Sequence, residues 1–286
     1  VIEHPSVREP ASWLESHGVE VVRLSGPWGR IEPASLADAL EEAPTSLVSV
    51  QWANSETGVL QPISEIAAIC RSAGVPLHVD AAQAVGREVI DFEAHGIDYL
   101  SFSGHKLHAP QGVGVLLARE PRSLLPLLRG GGQEGGFRAG TENLPGIVGL
   151  TAACDERADD FGNAARWMRE LRDDLETRVL EAIPDAEVNA REVPRVGNTT
   201  NIRFPVDGQA MMAQLGRLGV ICSQSSACSS QSPAPSSVLT AVGLSSDAAF
   251  SSVRFSVSSM TSKHEIDQAV QAFSTAYERL RALENF

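Results

Sequence analysis

The sequence of 286 residues is acidic, with 36 Asp and Glu against 23 Lys and Arg and a formal charge of −13. This charge argues against nucleic acid or an anionic membrane surface as the main partner. No apolar run approaches the length of a membrane span, and no signal peptide is visible. Four cysteines in a chain of this length do not form a disulfide scaffold, and their spacings match no zinc motif. We therefore expect reduced thiols in a cytoplasmic protein.

In the first half of the chain, short β-rich runs alternate with helical segments. Strands are predicted at residues 19–24, 46–52, 75–79, 99–103 and 113–117. Pro33 opens a helix that continues to Leu40, and a second helix runs from near Pro62 to Gly74. This alternation favours an α/β domain with a largely parallel sheet.

The second half opens with a long helical stretch from about residue 147 to 180, broken near Gly162. The composition becomes more charged here, so we place a domain boundary near residue 160. Beyond it we predict strands at 199–204, 220–223 and 252–256, helices at 208–218 and 238–242, and a terminal helix from residue 262. The prediction is thus a large domain, 1–160, followed by a smaller α+β C-terminal domain, 161–286.

Polar residues follow the predicted strands at the points where the strands end. They are Asn54, Asp80, Gln83, Ser103, His105 and Lys106. In open α/β sheets, ligands bind beyond the carboxyl ends of the strands. We therefore expect these separate stretches to meet at one edge of the sheet.

Lys106 has two interpretations. Lysine is strongly hydrated, so the ordinary one is a solvated residue at a strand end. The alternative is an amine that forms a Schiff base with an aldehyde cofactor, while Ser103 and His105 hold the cofactor's phosphate. Asp80 likewise fits either a plain helix N-cap or a carboxylate that keeps a pyridinium nitrogen protonated. Gln83, one helical turn further on, would then donate to the ring's phenolic oxygen.

Two further residues point to chemistry. Cys228 lies among small polar residues and prolines at 225–237, a composition typical of an exposed loop, and is a candidate reactive thiol. The other cysteines fall in helical or strand patterns and are interpreted as packing residues. Arg254 is either a surface arginine or a fork that binds a carboxylate. By itself, His4 fits an ordinary loop histidine.

Five motifs, in order along the chain, carry a family resemblance. They are HVDAAQAVG (78–86), SFSGHK (101–106), GGGQEGGFRAGTEN (130–143), SSACSS (225–230) and SSVRFS (251–256). Together they resemble the cysteine desulfurases of the iron–sulfur-cluster and nitrogen-fixation branch, within the class V aminotransferase family, over essentially the whole chain. The resemblance implies a homodimeric, fold-type-I enzyme that uses pyridoxal 5′-phosphate (PLP) to convert L-cysteine to L-alanine.

The resemblance also assigns roles to individual residues. Lys106 matches the Schiff-base lysine, which also moves the α-proton, and Cys228 matches the nucleophile that takes sulfur as a persulfide. The persulfide would pass to a sulfur-acceptor or scaffold protein for iron–sulfur-cluster or thio-cofactor biosynthesis. Several residues match cofactor ligands. Asp80 matches the partner of the ring nitrogen, Gln83 the ring-hydroxyl contact, and Asn54 or Ser55 a further cofactor contact. Ser103 and His105 match phosphate ligands, and Thr141 matches a phosphate contact given across the dimer.

Two more residues match groups that act on the substrate. His4 matches the histidine that stacks on the ring and assists proton transfer, and Arg254 matches the arginine that binds the substrate carboxylate.

The sequence departs from the family pattern in several places. Only three residues precede His4, whereas relatives carry a longer N-terminal part, and Ser55 stands where the family has a cofactor-contacting Asn. Gly135 replaces an arginine of the glycine loop, and residues 258–259 replace a Gly-Arg pair. Two alternatives stay open: a selenocysteine or cystine lyase, and a truncated non-catalytic relative that acts as a binding or regulatory subunit.

Overall fold

The computed structural model describes residues 1–224 and 234–284. The helices are α1 Pro5–Ser16, α2 Pro33–Glu42, α3 Ile63–Ala73, α4 Phe92–His95, α5 Leu144–Asp159, α6 Phe161–Ala182, α7 Gly208–Arg217, α8 Ser237–Ala241, α9 Ser246–Phe250 and α10 Lys263–Glu284. The strands are β1 Val48–Gln51, β2 Leu77–Asp80, β3 Tyr99–Ser103, β4 Gly114–Ala118, β5 Glu187–Val188, β6 Thr199–Arg203, β7 Ser223–Gln224 and β8 Ser252–Ser256. Within the described part of the chain, no helix is long and apolar enough to cross a membrane.

The chain forms two compact units, and the division does not follow chain order alone. The first, here called the parallel-sheet unit, comprises residues 36–52 and 62–161. The second, here called the antiparallel-sheet unit, comprises residues 1–35, 53–61 and 162–286. The predicted assignment of 1–160 as the cofactor-binding domain and 161–286 as the smaller domain stays a prediction.

The parallel-sheet unit is built on the order β1-β2-β3-β4. β1, β2 and β3 are parallel, and β4 is antiparallel to β3. Helix α3 covers this sheet with an apolar stripe at helical spacing, Ile63, Ile66, Ala67 and Cys70, all buried. It ends at Gly74, which takes the left-handed conformation (φ 67°) that glycine adopts without cost. The predicted α/β fold with a mostly parallel sheet is confirmed.

The antiparallel-sheet unit has the strand order β5-β6-β8-β7, with every pairing antiparallel. Its core places Ile202 opposite Val253 in register, both fully buried. Three aromatic rings pack around them, with Phe255 and Phe273 edge to face at 4.9 Å and Phe204 beside both. The apolar faces of α6, α7 and α10 complete this core.

Most predicted elements are present, with ends shifted by a few residues. The strand predicted at 19–24 is wrong, because these residues have no regular structure and pair with no described strand. Val19 and Val22 are exposed, and β-branched residues favour a strand only where a neighbouring strand and a buried face exist. The predicted break near Gly162 is confirmed: α5 ends at Asp159 and α6 begins at Phe161. Helix α1 was not predicted.

Candidate active site

Lys106 lies at the carboxyl end of β3, in a 3₁₀ turn that spans Gly104–Leu107. Leu107 is buried against Leu150 of α5, and this contact anchors the turn to the helix. At Gly104, a Cβ atom would lie 3.0 Å from Val113 and 3.2 Å from Leu150, so any other residue would require these side chains to shift by a few tenths of an ångström. The local sequence thus fixes Lys106, which is half-buried, immediately above the end of the strand.

Asp80 is the last residue of β2, the strand beside β3 in the sheet. Its Oδ1 accepts a hydrogen bond from the Ala82 backbone N–H at 2.9 Å, which is the contact of an Asx turn. The helix predicted to start at Asp80 is wrong, because residues 82–87 form turns. In register, Asp80 lies opposite Ser101, five residues before Lys106. Both residues therefore belong to the same edge of the parallel sheet, as the sequence predicted for strand-end residues.

Ser103 and His105 form a pair beside Lys106. Ser103 Oγ and His105 Nδ1 are 2.7 Å apart and share a hydrogen bond. His105 is exposed to solvent and Ser103 is half-buried. A hydroxyl and an imidazole at this spacing offer donors to an anionic group, which is the chemistry expected of phosphate ligands.

Arg87 connects the stretch after β2 to the Lys106 turn, and the sequence analysis missed it. Its Nη1 donates to the Gln83 carbonyl at 3.1 Å, and its Nη2 donates to the Lys106 carbonyl at 3.0 Å. Burial, with a smaller contribution from the nearby Arg157, lowers the pKa of Arg87 to about 10. The sequence offers little indication of this role, since an arginine that follows the turn residue Gly86 is usually an exposed surface residue.

A polar line crosses the sheet at His78, two residues before Asp80. The His78 ring nitrogens lie 2.8 Å from Ser49 Oγ on β1 and 3.0 Å from Ser101 Oγ on β3. Burial lowers the pKa of His78, and the carboxylate of Asp80 opposes this shift in part. A neutral imidazole donates from one nitrogen and accepts at the other, so it satisfies both serines without carrying a buried charge.

The antiparallel-sheet unit holds the other predicted residues around the turn 53–60. Asn54 is buried, and its Oδ1 accepts hydrogen bonds from the backbone N–H groups of Glu56 and Thr57, both at 2.9 Å. Its Nδ2 donates to the Ile2 carbonyl at 3.2 Å. The amide of Asn54 thus organises the turn and ties the first residues of the chain to it.

His4 and Arg254 have defined contacts in the same unit. His4 caps α1, because its Nδ1 accepts from the Ser6 backbone N–H at 3.1 Å. When the ring is neutral, its proton is therefore on Nε2. Arg254, on β8, donates from Nη1 to the Ser55 carbonyl at 2.9 Å. This hydrogen bond holds one edge of the Arg254 fork.

Thr141 and Cys228 are the last two predicted site residues. Thr141 is exposed, two residues before Asn143, the N-cap of α5. Cys228 lies outside the described residues. Burial raises the pKa of the Cys70 and Cys222 thiols to about 11, which makes both weak nucleophiles at neutral pH.

A cavity of about 560 Å³ lies at the opposite end of the parallel strands. Val75 and Pro76, before β2, and Asp98, before β3, are among the residues that line it. Lys106 and Asp80 lie at the carboxyl ends of these strands. The cavity is therefore separate from the candidate site.

Known proteins resemble this chain over nearly all of its length, both in sequence and in fold. The family model for aminotransferase class-V matches residues 1–269. A cysteine desulfurase of Nostoc sp. is 42% identical over all of this chain and 72% of its own length, and the cysteine desulfurase NifS of Azotobacter vinelandii is 41% identical over 98% of this chain and 70% of its own. The crystal structure of a NifS-like protein from Rickettsia africae superimposes with a TM-score of 0.87 at 31% identity, covering 97% of this chain and 74% of that one.

The chain belongs to the class-V aminotransferase family and, within it, to the cysteine desulfurases. The family resemblance predicted from the five sequence motifs is confirmed.

Proposed function

We propose that this protein is a PLP-dependent cysteine desulfurase whose Schiff-base lysine is Lys106. The observation that carries the proposal is the place of that amine. The chain contains two lysines, Lys106 and Lys263. Lys263 opens α10 in the antiparallel-sheet unit, where its Nζ lies over the Trp167 ring at 5.7 Å. Lys106 is therefore the one lysine side chain at the carboxyl edge of the parallel sheet, where ligands bind in this class of fold.

The side chains around Lys106 fit PLP. Ser103 and His105 offer hydrogen-bond donors to a phosphate. Asp80 uses Oδ1 for the Ala82 N–H, and its Oδ2 suits the protonated nitrogen of a pyridine ring. Gln83, in the turn that Arg87 fixes, suits the ring's phenolic oxygen. When bound, PLP supplies an aldehyde that condenses with amines and a ring that accepts the electron pair left by removal of an α-proton.

The chain's own groups then perform the binding and proton steps. The Arg254 fork binds the carboxylate of L-cysteine, and the Ser55 carbonyl holds one edge of that fork. The ε-amine of Lys106 would act as the general base that accepts the α-proton of the substrate. The Asp80 carboxylate would hold the proton on the ring nitrogen of bound PLP. His4 presents Nε2–H, because its Nδ1 is occupied by Ser6, and assists proton transfer.

Sulfur transfer belongs to Cys228. Its thiolate attacks the sulfur of L-cysteine, so that an S–S bond forms as the C–S bond breaks, and the carbon skeleton leaves as L-alanine after protonation. Cys228 then carries a persulfide for a sulfur-acceptor protein. The family resemblance of the five motifs supports a role in supplying sulfur for iron–sulfur clusters or thio-cofactors, and the Azotobacter relative carries the name cysteine desulfurase. Homodimer formation, the contact of Thr141 across that dimer, and a cytoplasmic location complete the proposal.

The decisive experiment traps the lysine chemically. The protein is incubated with PLP, reduced with borohydride, digested and mapped by mass spectrometry. We expect the pyridoxyl mass on the peptide that contains Lys106 and none on the peptide that contains Lys263. The Lys106→Ala variant should lose both the visible absorbance and the adduct, while Lys263→Ala, the matched control, keeps both. A label on Lys263, or no label on either peptide, refutes the assignment.

A further inference from the structure

Side chains on two neighbouring strands of the antiparallel sheet contact the same turn. Asn201 on β6 and Arg254 on β8 are register partners, so both side chains leave the same face of the sheet. Arg254 Nη1 donates to the Ser55 carbonyl at 2.9 Å, and Asn201 Nδ2 donates to the carbonyl of the next residue, Glu56, at 3.2 Å. Two adjacent carbonyls are therefore held by two adjacent side chains.

Asn201 is itself oriented by a buried amide. Asn189 Nδ2 donates to Asn201 Oδ1 at 2.6 Å and to Ser252 Oγ at 2.9 Å. The exposed fractions of Asn189, Asn201 and Ser252 are 3%, 0% and 0%. Because Asn189 supplies the donor, Asn201 must turn its oxygen toward Asn189 and its nitrogen toward Glu56. Ser252 closes the chain of bonds by donating to the Ala248 carbonyl at 2.7 Å.

We propose that Asn201 and Asn189 are positioning residues for recognition of the substrate carboxylate. The Asn189–Asn201 pair fixes the Glu56 carbonyl on one side of the Glu56 Cα. On the other side, the Glu56 N–H donates to Asn54 Oδ1 at 2.9 Å and holds the peptide whose Ser55 carbonyl binds Arg254, so both peptides that flank Glu56 are held. A guanidinium recognises a carboxylate through two parallel hydrogen bonds, which requires a defined orientation of the fork. This inference rests on the proposed function, since it takes Arg254 as the residue that binds the carboxylate.

The test compares two ligands that differ only by a carboxylate, L-alanine and ethylamine. Their dissociation constants are measured on the PLP-loaded protein by absorbance titration, without turnover. The ratio of the ethylamine constant to the L-alanine constant reports recognition of the carboxylate alone. A general loss of structure would weaken the binding of both ligands and leave this ratio unchanged.

The principal variant is Asn189→Asp, which keeps the shape of the side chain and removes its donor. Asn201 Nδ2 then donates to the new carboxylate, and its bond to Glu56 is lost. We expect the ratio to fall about tenfold, the size of one charge-assisted hydrogen bond, with little change for ethylamine. Asn201→Ala should give the same fall. The matched control is Asn198→Asp, since Asn198 is also buried but its Nδ2 donates to the Val257 carbonyl and not to the Ser55 or Glu56 carbonyl; its ratio should be unchanged.

A double-variant cycle separates the two levels of the proposal. Arg254→Ala should abolish the preference for L-alanine, and adding Asn189→Asp should cause no further loss, because both changes act through the same fork. The positioning role alone is overturned if Arg254→Ala lowers the ratio and Asn189→Asp does not. It is also overturned if the losses in the ratio from the two variants add in the double variant. A ratio that survives Arg254→Ala overturns the carboxylate assignment, and this inference with it. Asn189→Asp decides the outcome if Asn201→Ala does not fold.

Discussion

The Arg87 guanidinium joins the two stretches of chain that carry the candidate site, donating to the Lys106 carbonyl at 3.0 Å and to the Gln83 carbonyl at 3.1 Å. One stretch is the turn that follows Asp80, the last residue of β2, and the other is the Lys106 turn that follows β3. Burial disfavours the charged guanidinium and lowers the pKa of Arg87 to about 10, which still leaves it protonated at neutral pH. The half-buried guanidinium thereby bridges the two stretches through two backbone carbonyls.

We expect Arg87→Met to weaken PLP binding about tenfold and to lower the free energy of unfolding of the apoprotein by about 2 kcal/mol, because two carbonyls lose a charged donor. Arg87→Lys keeps the positive charge but lacks the two-pronged guanidinium, so its PLP affinity and its stability should lie between those of the unchanged protein and Arg87→Met. PLP affinity is measured by absorbance titration, and unfolding by urea. An Arg87→Met protein that unfolds at the normal urea concentration and binds PLP normally would show that this link does not position the site.

The strand ends and the Lys106 turn were predictable because their causes are local. Apolar runs define the strands, Gly74 ends α3, and Gly104 permits the turn beside α5. The role of Arg87 was not predictable, because its two acceptors are backbone carbonyls that only the folded chain brings together. The same holds for Asn201, whose contact with Glu56 spans 145 residues of sequence. Contacts between distant backbone groups leave no pattern of periodicity or composition.

Cys228→Ser should abolish formation of the protein-bound persulfide and leave the visible absorbance of bound PLP unchanged, because the proposed function assigns sulfur transfer, and not cofactor binding, to Cys228. Persulfide is measured by alkylation and mass spectrometry, and alanine by chromatography after incubation with L-cysteine. Cys222→Ser is the matched control, since burial raises the pKa of the Cys222 thiol to about 11 and keeps it protonated. Undiminished sulfide release by Cys228→Ser would favour the lyase alternative.

His78 predicts a dependence of stability on pH. Burial lowers its pKa in the folded protein below the ordinary value of 6.5, so the unfolded chain binds the proton more tightly. The contribution of His78 is therefore fully present above about pH 6.5 and is lost as the pH falls through the lowered pKa. We expect the difference in unfolding free energy between pH 7.5 and pH 5 to shrink in His78→Gln. The exposed His264 provides the control, since His264→Gln should leave that difference unchanged.

The buried ion pair between Glu176 and Arg195 supports the turn 53–60 from the side of α6. Arg195 donates to both carboxylate oxygens of Glu176, at 2.7 and 3.1 Å, and both side chains are 6% exposed. The backbone beside Arg195 continues to the turn, where the Pro194 carbonyl accepts from Leu60 N–H at 2.9 Å. Loss of the pair should therefore destabilise the protein and loosen the turn that holds Arg254.

Glu176→Gln leaves Arg195 buried without a counter-charge, so we expect the free energy of unfolding at pH 7 to fall by about 3 kcal/mol. Burial is the largest influence and raises the pKa of Glu176, but the hydrogen bonds from Arg195 and Thr200 and the charges of Arg195 and Arg172 together outweigh it and leave that pKa below its ordinary value of 4.5. The stabilisation is therefore present above about pH 4.5 and is lost as the pH falls through the lowered pKa. Urea unfolding from pH 7 to pH 3 should show the two proteins converging at the acid end. Equal stability of Glu176→Gln and the unchanged protein at pH 7 would mean that the buried pair contributes nothing. The control is the surface pair Arg178–Asp174: Asp174→Asn should change the free energy of unfolding only slightly at any pH.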